Sequence, residues 1–314
     1  MRHALMKDPL VSVVVCAHRT DRYGDLLEAI KSLKSQTYGK VEIICVFDGN
    51  RDLCEKFAAE GESKGVEIIL NHENLGLSES RNRGAARAKG DIIAFFDDDA
   101  VADAAWAEEL VRMFEELGAL AAGGSILPLW TTKTPGCLPE EYYWLIGATH
   151  KGFPEEVAEV RNTFGSNLGF RSDIFAALGG FKVDLGFKGA GLIQGEEVEI
   201  CNRMRQRFGR GVIYNPKAVV FHKVFPERLK MKYLLSRAFW QGYSKRELER
   251  RGYSLAEEGR FLSLLKSGIA QRVKTASPRL LCQAAVLIAL TLSVGLGYLY
   301  GAMSLKNLRL PILF

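Results

Sequence analysis

The sequence has no C-x-x-C pair, and its six cysteines (Cys16, Cys45, Cys54, Cys137, Cys201 and Cys282) lie far apart. That spacing excludes a zinc ribbon and speaks against a disulfide scaffold, so a reducing compartment is expected. No G-x-x-x-x-G-K-[ST] loop and no H-E-x-x-H helix occurs, which removes P-loop nucleotide chemistry and zinc proteolysis of that type. The stretch "GAGLIQG" at 189–195 misses the G-x-G-x-x-G spacing and follows no strand, so a dinucleotide site is not expected either. The opening residues, "MRHALMKDPL", contain no apolar run, so a secretory signal peptide is not expected. Internal repeats and low-complexity tracts are also missing.

Two kinds of segment stand out instead. Between Arg228 and Arg279 there are 13 Lys or Arg against 4 Asp or Glu. This one segment carries more than the whole net charge of +5, and the rest of the chain is net negative. Directly after it, Leu280 to Leu305 contains no charged residue. A run of that length is expected to span a bilayer, with Arg279 and Lys306 at its ends and Tyr298 and Tyr300 at one interface. The positive-inside bias then puts the N-terminal bulk on the cytoplasmic side of a single-pass cell-membrane protein.

From residue 10 to about 118, strand and helix patterns alternate. "LVSVVVCA", "VEIICVFD", "VEIIL" and "DIIAFFD" are apolar runs rich in β-branched residues, as in strands covered on both faces. Helical periodicity follows each. The fold class is therefore α/β, a mostly parallel sheet flanked by helices. Ligands in such sheets sit beyond the carboxyl ends of the strands. Three of those ends carry polar residues: "HRTDRYG" at 18–24, Asp48, and the triplet Asp97-Asp98-Asp99. Three adjacent carboxylates repel one another, and an N-cap needs only one of them. A divalent cation relieves the repulsion. Mg2+ and Mn2+ prefer hard oxygen ligands and commonly complete their shell with substrate phosphates. The triplet thus suggests a nucleotide-diphosphate site. Further on, 195–209 reads as a helix with acidic residues first, and 211–222 as a pair of strands around a proline.

Up to about residue 225 the chain resembles the family 2 inverting glycosyltransferases of GT-A fold. The resemblance rests on "VSVVVCAHRT", "QTYGKVEIICVFDGN", "NLGLSESRNRGAARAKGDIIAFFDDDA", "GSNLGFRSDIFAALGGF" and "GEEVEICNRMRQRFGRGVIYNPKAVVFH", in that order. It implies a Rossmann-like nucleotide-binding domain with roles for particular residues. Ala17, His18 and Arg19 would approach the nucleotide, Asp48 would meet the base, and Arg81 would sit near the diphosphate. Asp97 and Asp98 would hold the ribose or water ligands. Asp99 would ligate Mn2+ or Mg2+, with His222 completing the metal shell. Gly165, Ser166 and Asn167 belong to the acceptor-side loop. In inverting transfer a carboxylate deprotonates the acceptor hydroxyl as the nucleoside diphosphate leaves. The family's Glu-Asp pair is Glu196-Glu197 here, so the base is Glu197 with Glu196 as the alternative.

The basic segment interleaves Lys and Arg with Tyr, Trp, Phe and Leu. Beside a spanning helix, it reads as amphipathic helices on an anionic leaflet rather than a nucleic-acid surface. Four segments are therefore expected: a GT-A domain over 1–225, interface helices over 226–279, a transmembrane helix over 280–305 and a short tail over 306–314. The function implied is metal-dependent transfer of a sugar from a nucleotide diphosphate sugar, a UDP-sugar by preference. The acceptor would be a dolichyl- or polyprenyl-phosphate-linked saccharide, in glycan or glycoprotein assembly. Dolichyl-linked relatives of this layout include glucuronosyl-transferring enzymes. A polyprenyl-phosphate monosaccharide synthase, which needs no base, is the first alternative; a non-catalytic membrane scaffold is the second.

Overall fold

Val11–Ala17 (β1) and Ile92–Asp97 (β4) alternate side chains between two apolar layers. Val11, Val13 and Val15 face one core with Ile92, Ala94 and Phe96, while Val14 faces the other with Ile93 and Phe95. Such strands are stable only when both faces are covered. Helices α1 (Tyr23–Lys34), α2 (Arg51–Ala59) and α4 (Trp106–Leu117) cover the first face. Helices α3 (Leu77–Arg87), α5 (Ser172–Leu178) and α6 (Glu196–Phe208) cover the second. The computed structural model describes residues 6–185, 195–253, 258–275 and 277–303, without the side chains of 258 and 260. The expected tail at 306–314 and most of "GAGLIQG" lie outside the described residues.

The remaining strands are β2 (Val41–Asp48), β3 (Val66–Asn71), β5 (Ala100–Ala102), β6 (Ala121–Trp130), β7 (Ala158–Val160), β8 (Leu168–Arg171) and β9 (Val212–Val224). Their order is β3-β2-β1-β4-β8-β6-β9-β5, with β7 also on β9. The β3-β2-β1-β4 half is parallel, as its intervening helices require. Beyond β4 the sheet changes sense: β8 is antiparallel to both β4 and β6, and β5 and β7 are antiparallel to β9. The expected strand pair over 211–222 is one continuous strand. Pro216, which has no N–H to donate, falls in the gap on that side between the β7 pairing, which ends at Tyr214, and the β5 pairing, which starts at Val220.

The described chain divides into two compact units, one of 6–127, 154–185 and 196–223, the other of 128–153, 195 and 224–303. Residues 128–153, inside the expected N-terminal segment, thus belong with the C-terminal helices α7 (Met231–Arg250), α8 (Glu258–Thr275) and α9 (Pro278–Met303). The core of this second unit joins Tyr142, Leu145 and Ile146 to Leu234, Leu265, Leu287 and Leu290. One expectation is corrected there. Cys137 and Cys282 form a disulfide, with Cα atoms 5.5 Å apart at a sequence separation of 145. Sequence distance had argued against pairing, but the loop before the short helix Glu140–Ile146 folds back onto the start of α9. There Gln283 donates to the Gly136 carbonyl at 3.0 Å. Cys16, Cys45, Cys54 and Cys201 are free thiols, as expected.

Candidate active site

The carboxyl ends of β1, β2 and β4 lie side by side, because Cys16 registers with Asp97 and Ala17 with Phe47. This brings His18, Asp48 and the aspartate triplet to one edge of the first unit. His18 Nδ1 is 2.6 Å from the Asp48 carbonyl oxygen, and Asn50 donates to the His18 carbonyl at 2.8 Å. Asp48 is buried, and its carboxylate accepts from Asn71 Nδ2, Leu75 N–H and Gly76 N–H at 2.9–3.0 Å. It thereby fixes the turn into α3. Arg19 is exposed and pairs with Asp21. Ala17 is buried at the end of β1.

The triplet separates into different environments. Asp97 ends β4, Asp99 precedes β5, and β5 registers Ala100 against His222 on β9. His222 Nε2 is 3.1 Å from Asp99 Oδ1 and 3.9 Å from Asp97 Oδ2. One ligand atom from each of Asp97, Asp99 and His222 lies within 4.8 Å of the others. Two carboxylates and an imidazole on one point suit Mn2+ or Mg2+, and they leave coordination positions for phosphate oxygens. Arg22 also pairs with Asp99. Burial pushes the Asp98 carboxyl well above the ordinary aspartate range, with the Asp99 and Asp97 charges adding to it.

Arg81 is buried beside the triplet. It sits in the first turns of α3, a helix pressed so closely onto β1 that a Cβ on Gly84 would lie 2.3 Å from Val14 Cγ1. Its buried guanidinium reaches three carboxylates: Asp97 at 3.2 Å, Glu197 at 3.2 Å and Glu196 at 3.4 Å. Burial alone would weaken its hold on the proton, but the charges of Glu197, Asp97 and Glu196 raise its pKa further above the usual arginine value. Arg81 thus links Asp97 to the acidic start of α6. Beside it, burial pushes the Cys16 thiol up to about 12, which removes it as a nucleophile.

Of Gly165, Ser166 and Asn167, the first lies against Glu197 and Arg81. Its N–H donates to Glu197 Oε1 at 3.1 Å, and an added Cβ would stand 2.2 Å from Arg81 Nη2. Ser166 is buried. Asn167 is fully buried and ties the sheet together, donating to the Ser125 and Ala218 carbonyls and accepting from Trp106 Nε1 at 2.8–3.0 Å. Arg22 and Asn71 were not singled out from sequence. Asn71 carried a readable signal, a polar residue ending an apolar strand just before "NLG"; Arg22 carried none.

Residues 12–179 match the model of glycosyl transferase family 2. The chain is 39% identical over 303 residues to the glucosyl-dolichyl phosphate glucuronosyltransferase of Haloferax volcanii, covering 94% of this chain and 96% of the relative. It is 37% identical over 136 residues to an uncharacterised glycosyltransferase of Haemophilus influenzae, covering 43% of this chain and 42% of the relative. Among solved structures, it resembles the mannosyltransferase PcManGT from Pyrobaculum calidifontis, in complex with GDP-Man and Mn2+. That match has a TM-score of 0.57 at 16% identity, covering 93% of this chain and 87% of that one. The structure of GalNAc-T7 with UDP, GalNAc and Mn2+ matches with a TM-score of 0.55 at 18% identity, covering 86% of this chain and 58% of that one. The fold is therefore the GT-A fold of both.

Proposed function

We propose a function from one premise: the chain belongs to glycosyl transferase family 2. It transfers a sugar from a nucleotide diphosphate donor to a dolichyl- or polyprenyl-phosphate-linked saccharide. Likeness along the whole chain to the Haloferax volcanii enzyme supports a glucuronosyl donor, as a UDP-sugar, and a glucosyl-dolichyl phosphate acceptor. One observation carries the reading. The cluster of Asp97, Asp99 and His222 is joined through Arg81 to Glu197 at the open edge of the sheet.

In this reading His18 and Asp48 bind the nucleoside, and Asp98 binds the ribose. Asp97, Asp99 and His222 hold Mn2+ or Mg2+, which would neutralise charge on the departing diphosphate. Glu197 takes the proton from the acceptor hydroxyl as the new bond forms on the opposite face of the anomeric carbon, inverting it. Its Oε1 is already oriented by Gly165 N–H and Arg81. Glu196, more deeply buried, supports Arg81. Helix α9, 26 residues with no charge after Arg279, is the one described helix long and apolar enough to cross a membrane. It anchors the chain there, and the basic residues from 228 to 279 keep the catalytic unit on the cytoplasmic side.

The test is a transfer assay with Mn2+, a panel of UDP- and GDP-sugars, and two acceptors: glucosyl-dolichyl phosphate and dolichyl phosphate. Transfer to the glycolipid that is lost in Glu197→Gln supports the reading. Transfer to the bare phosphate that survives Glu197→Gln would mean a synthase, since phosphate needs no base.

A further inference from the structure

Helix α9 is expected from its sequence to cross a bilayer. In the second unit, however, it is covered along its length on one side. Its first half packs on α8: Arg272 donates to Gln283 at 3.2 Å, and Leu265 shares a core with Leu287 and Leu290. Its second half packs on α7, and the two helices run parallel. Ser293 Oγ donates to the Leu235 carbonyl at 2.8 Å, Gly297 abuts the Phe239 carbonyl, and Gly301 abuts Arg246. A Cβ on Gly297 would lie 1.8 Å from Phe239 O, and one on Gly242 would lie 1.9 Å from Val294 O. The two backbones therefore approach as closely as small residues allow.

The polar residues of α9 all turn toward this covered side. Thr291 meets Tyr142 at 2.9 Å, and Tyr298 meets Arg246 and Glu249. The opposite side is a single exposed stripe, Leu281, Ala285, Ile288, Leu292, Leu296, Leu299 and Met303. At 1.5 Å per residue the stripe is about 33 Å long. Polar atoms inward and large aliphatics outward is the pattern of a helix facing lipid.

Depth then decides the orientation. Leu235 meets Ser293 and Phe239 meets Gly297, so Lys232 and Arg237 lie on the α7 stretch beside the middle of α9. If α9 crossed the bilayer upright, its neighbour would carry these charges through the hydrocarbon, where charged side chains are costly. If α9 lies flat, the stripe meets the acyl chains and the charges of α7 and α8 stay at headgroup level. We propose that α9 is an in-plane anchor, lying in one leaflet of an anionic membrane with the stripe from Leu281 to Met303 embedded. This rests on the reading that α9 contacts lipid, and it replaces the crossing.

The experiment uses the full chain on sealed phosphatidylcholine vesicles containing phosphatidylglycerol. Nitroxide labels are attached singly at Leu281→Cys, Leu292→Cys and Met303→Cys, all exposed positions whose change leaves the fold intact. The native free thiols are buried or half-buried. The expected result is one shallow depth for all three labels. Leu292→Asp should also weaken vesicle partitioning at least about tenfold. A deep Leu292 with the two ends at opposite faces would overturn the in-plane anchor and leave the membrane-bound transferase standing. Absence of vesicle binding, or a soluble dimer that protects the stripe, would overturn lipid contact itself. In both of those cases glycosyl transfer to a detergent-solubilised acceptor remains measurable.

Discussion

Each unit of this protein sets an arginine against buried acid, and the two do so differently. In the second unit Arg272 meets one carboxylate, Glu141, through two bonds of 2.8 and 2.9 Å. Glu141 is fully buried, and Gly268 leaves room for it. The fork geometry uses both oxygens, and Lys151 stands farther off at 4.0 Å. In the first unit Arg81 meets three carboxylates, each through one longer contact of 3.2–3.4 Å. One guanidinium there is shared by three carboxylates. A balanced pair is a joint. In the proposed function the shared cluster's negative charge is reserved for a cation and an acceptor proton.

The most severe test of that contrast removes a proposed metal ligand beside the cluster. Asp99→Ala should cost several kcal/mol of transition-state stabilisation, on the order of a thousandfold in kcat/KM. Isothermal titration of Mn2+ in the presence of UDP should lose its coupled binding. If Mn2+ and UDP still bind cooperatively, Asp99 is not a ligand. Glu197→Gln comes next, with an expected loss of about a hundredfold or more in kcat on a hydroxyl acceptor. Mn2+ and UDP binding should be unchanged, because the amide oxygen still accepts from Gly165 and Arg81. An equal loss in Glu196→Gln with none in Glu197→Gln would reverse the assignment of the base.

The two units also differ in how far their sequences could be read. The parallel half of the first unit was legible because Val11–Ala17 and its partners are continuous apolar runs, each followed by a helical period. The edge that gathers Asp48 and the triplet followed from parallel register alone. What that register brings near Arg81 did not follow. An arginine on a helix looks like a surface charge until α3 is seen pressed against β1, and Glu197 arrives from 116 residues away. Strand β6 was hidden by Gly123, Gly124 and Pro128, which are poor strand formers held in place by neighbouring strands. In the second unit, an uncharged run reads the same whether it crosses a bilayer or lies along a partner helix. The contacts of Gly242 and Gly297 show the partner helix, which the run itself does not. The Cys137–Cys282 bond was likewise invisible, because a sequence separation of 145 says nothing about distance in space.

Breaking the balanced pair should hurt folding and spare chemistry. Arg272→Met leaves Glu141 buried without its fork, with Lys151 no nearer than 4.0 Å, and should cost about 3–5 kcal/mol of stability. The double variant Glu141→Leu with Arg272→Met should recover most of that loss, since a well-packed apolar pair often equals a buried ion pair. Chemical denaturation followed by tryptophan fluorescence measures both. Specific activity per folded molecule should match the unaltered protein in the double variant. A large fall in kcat there would mean that the joint takes part in catalysis.

The smallest effect expected is in the response to acid. Burial by itself would raise the Glu141 carboxyl, but the bonds and charge of Arg272 outweigh it, and the group is held below its ordinary value of 4.5. A carboxylate with a depressed folded pKa binds fewer protons in the folded state than in the unfolded one. Its contribution is therefore complete above 4.5 and is lost as the pH falls from there through the lower folded value. Melting temperatures recorded from neutral to acid pH should fall over that window in the unaltered protein. The double variant has nothing at this position to protonate, so its curve should be flatter there. Acid loss from the other carboxylates is common to both proteins and cancels in the difference. Identical slopes would mean that Glu141 stays paired in the unfolded chain, and that the balanced joint stores no pH-dependent stability.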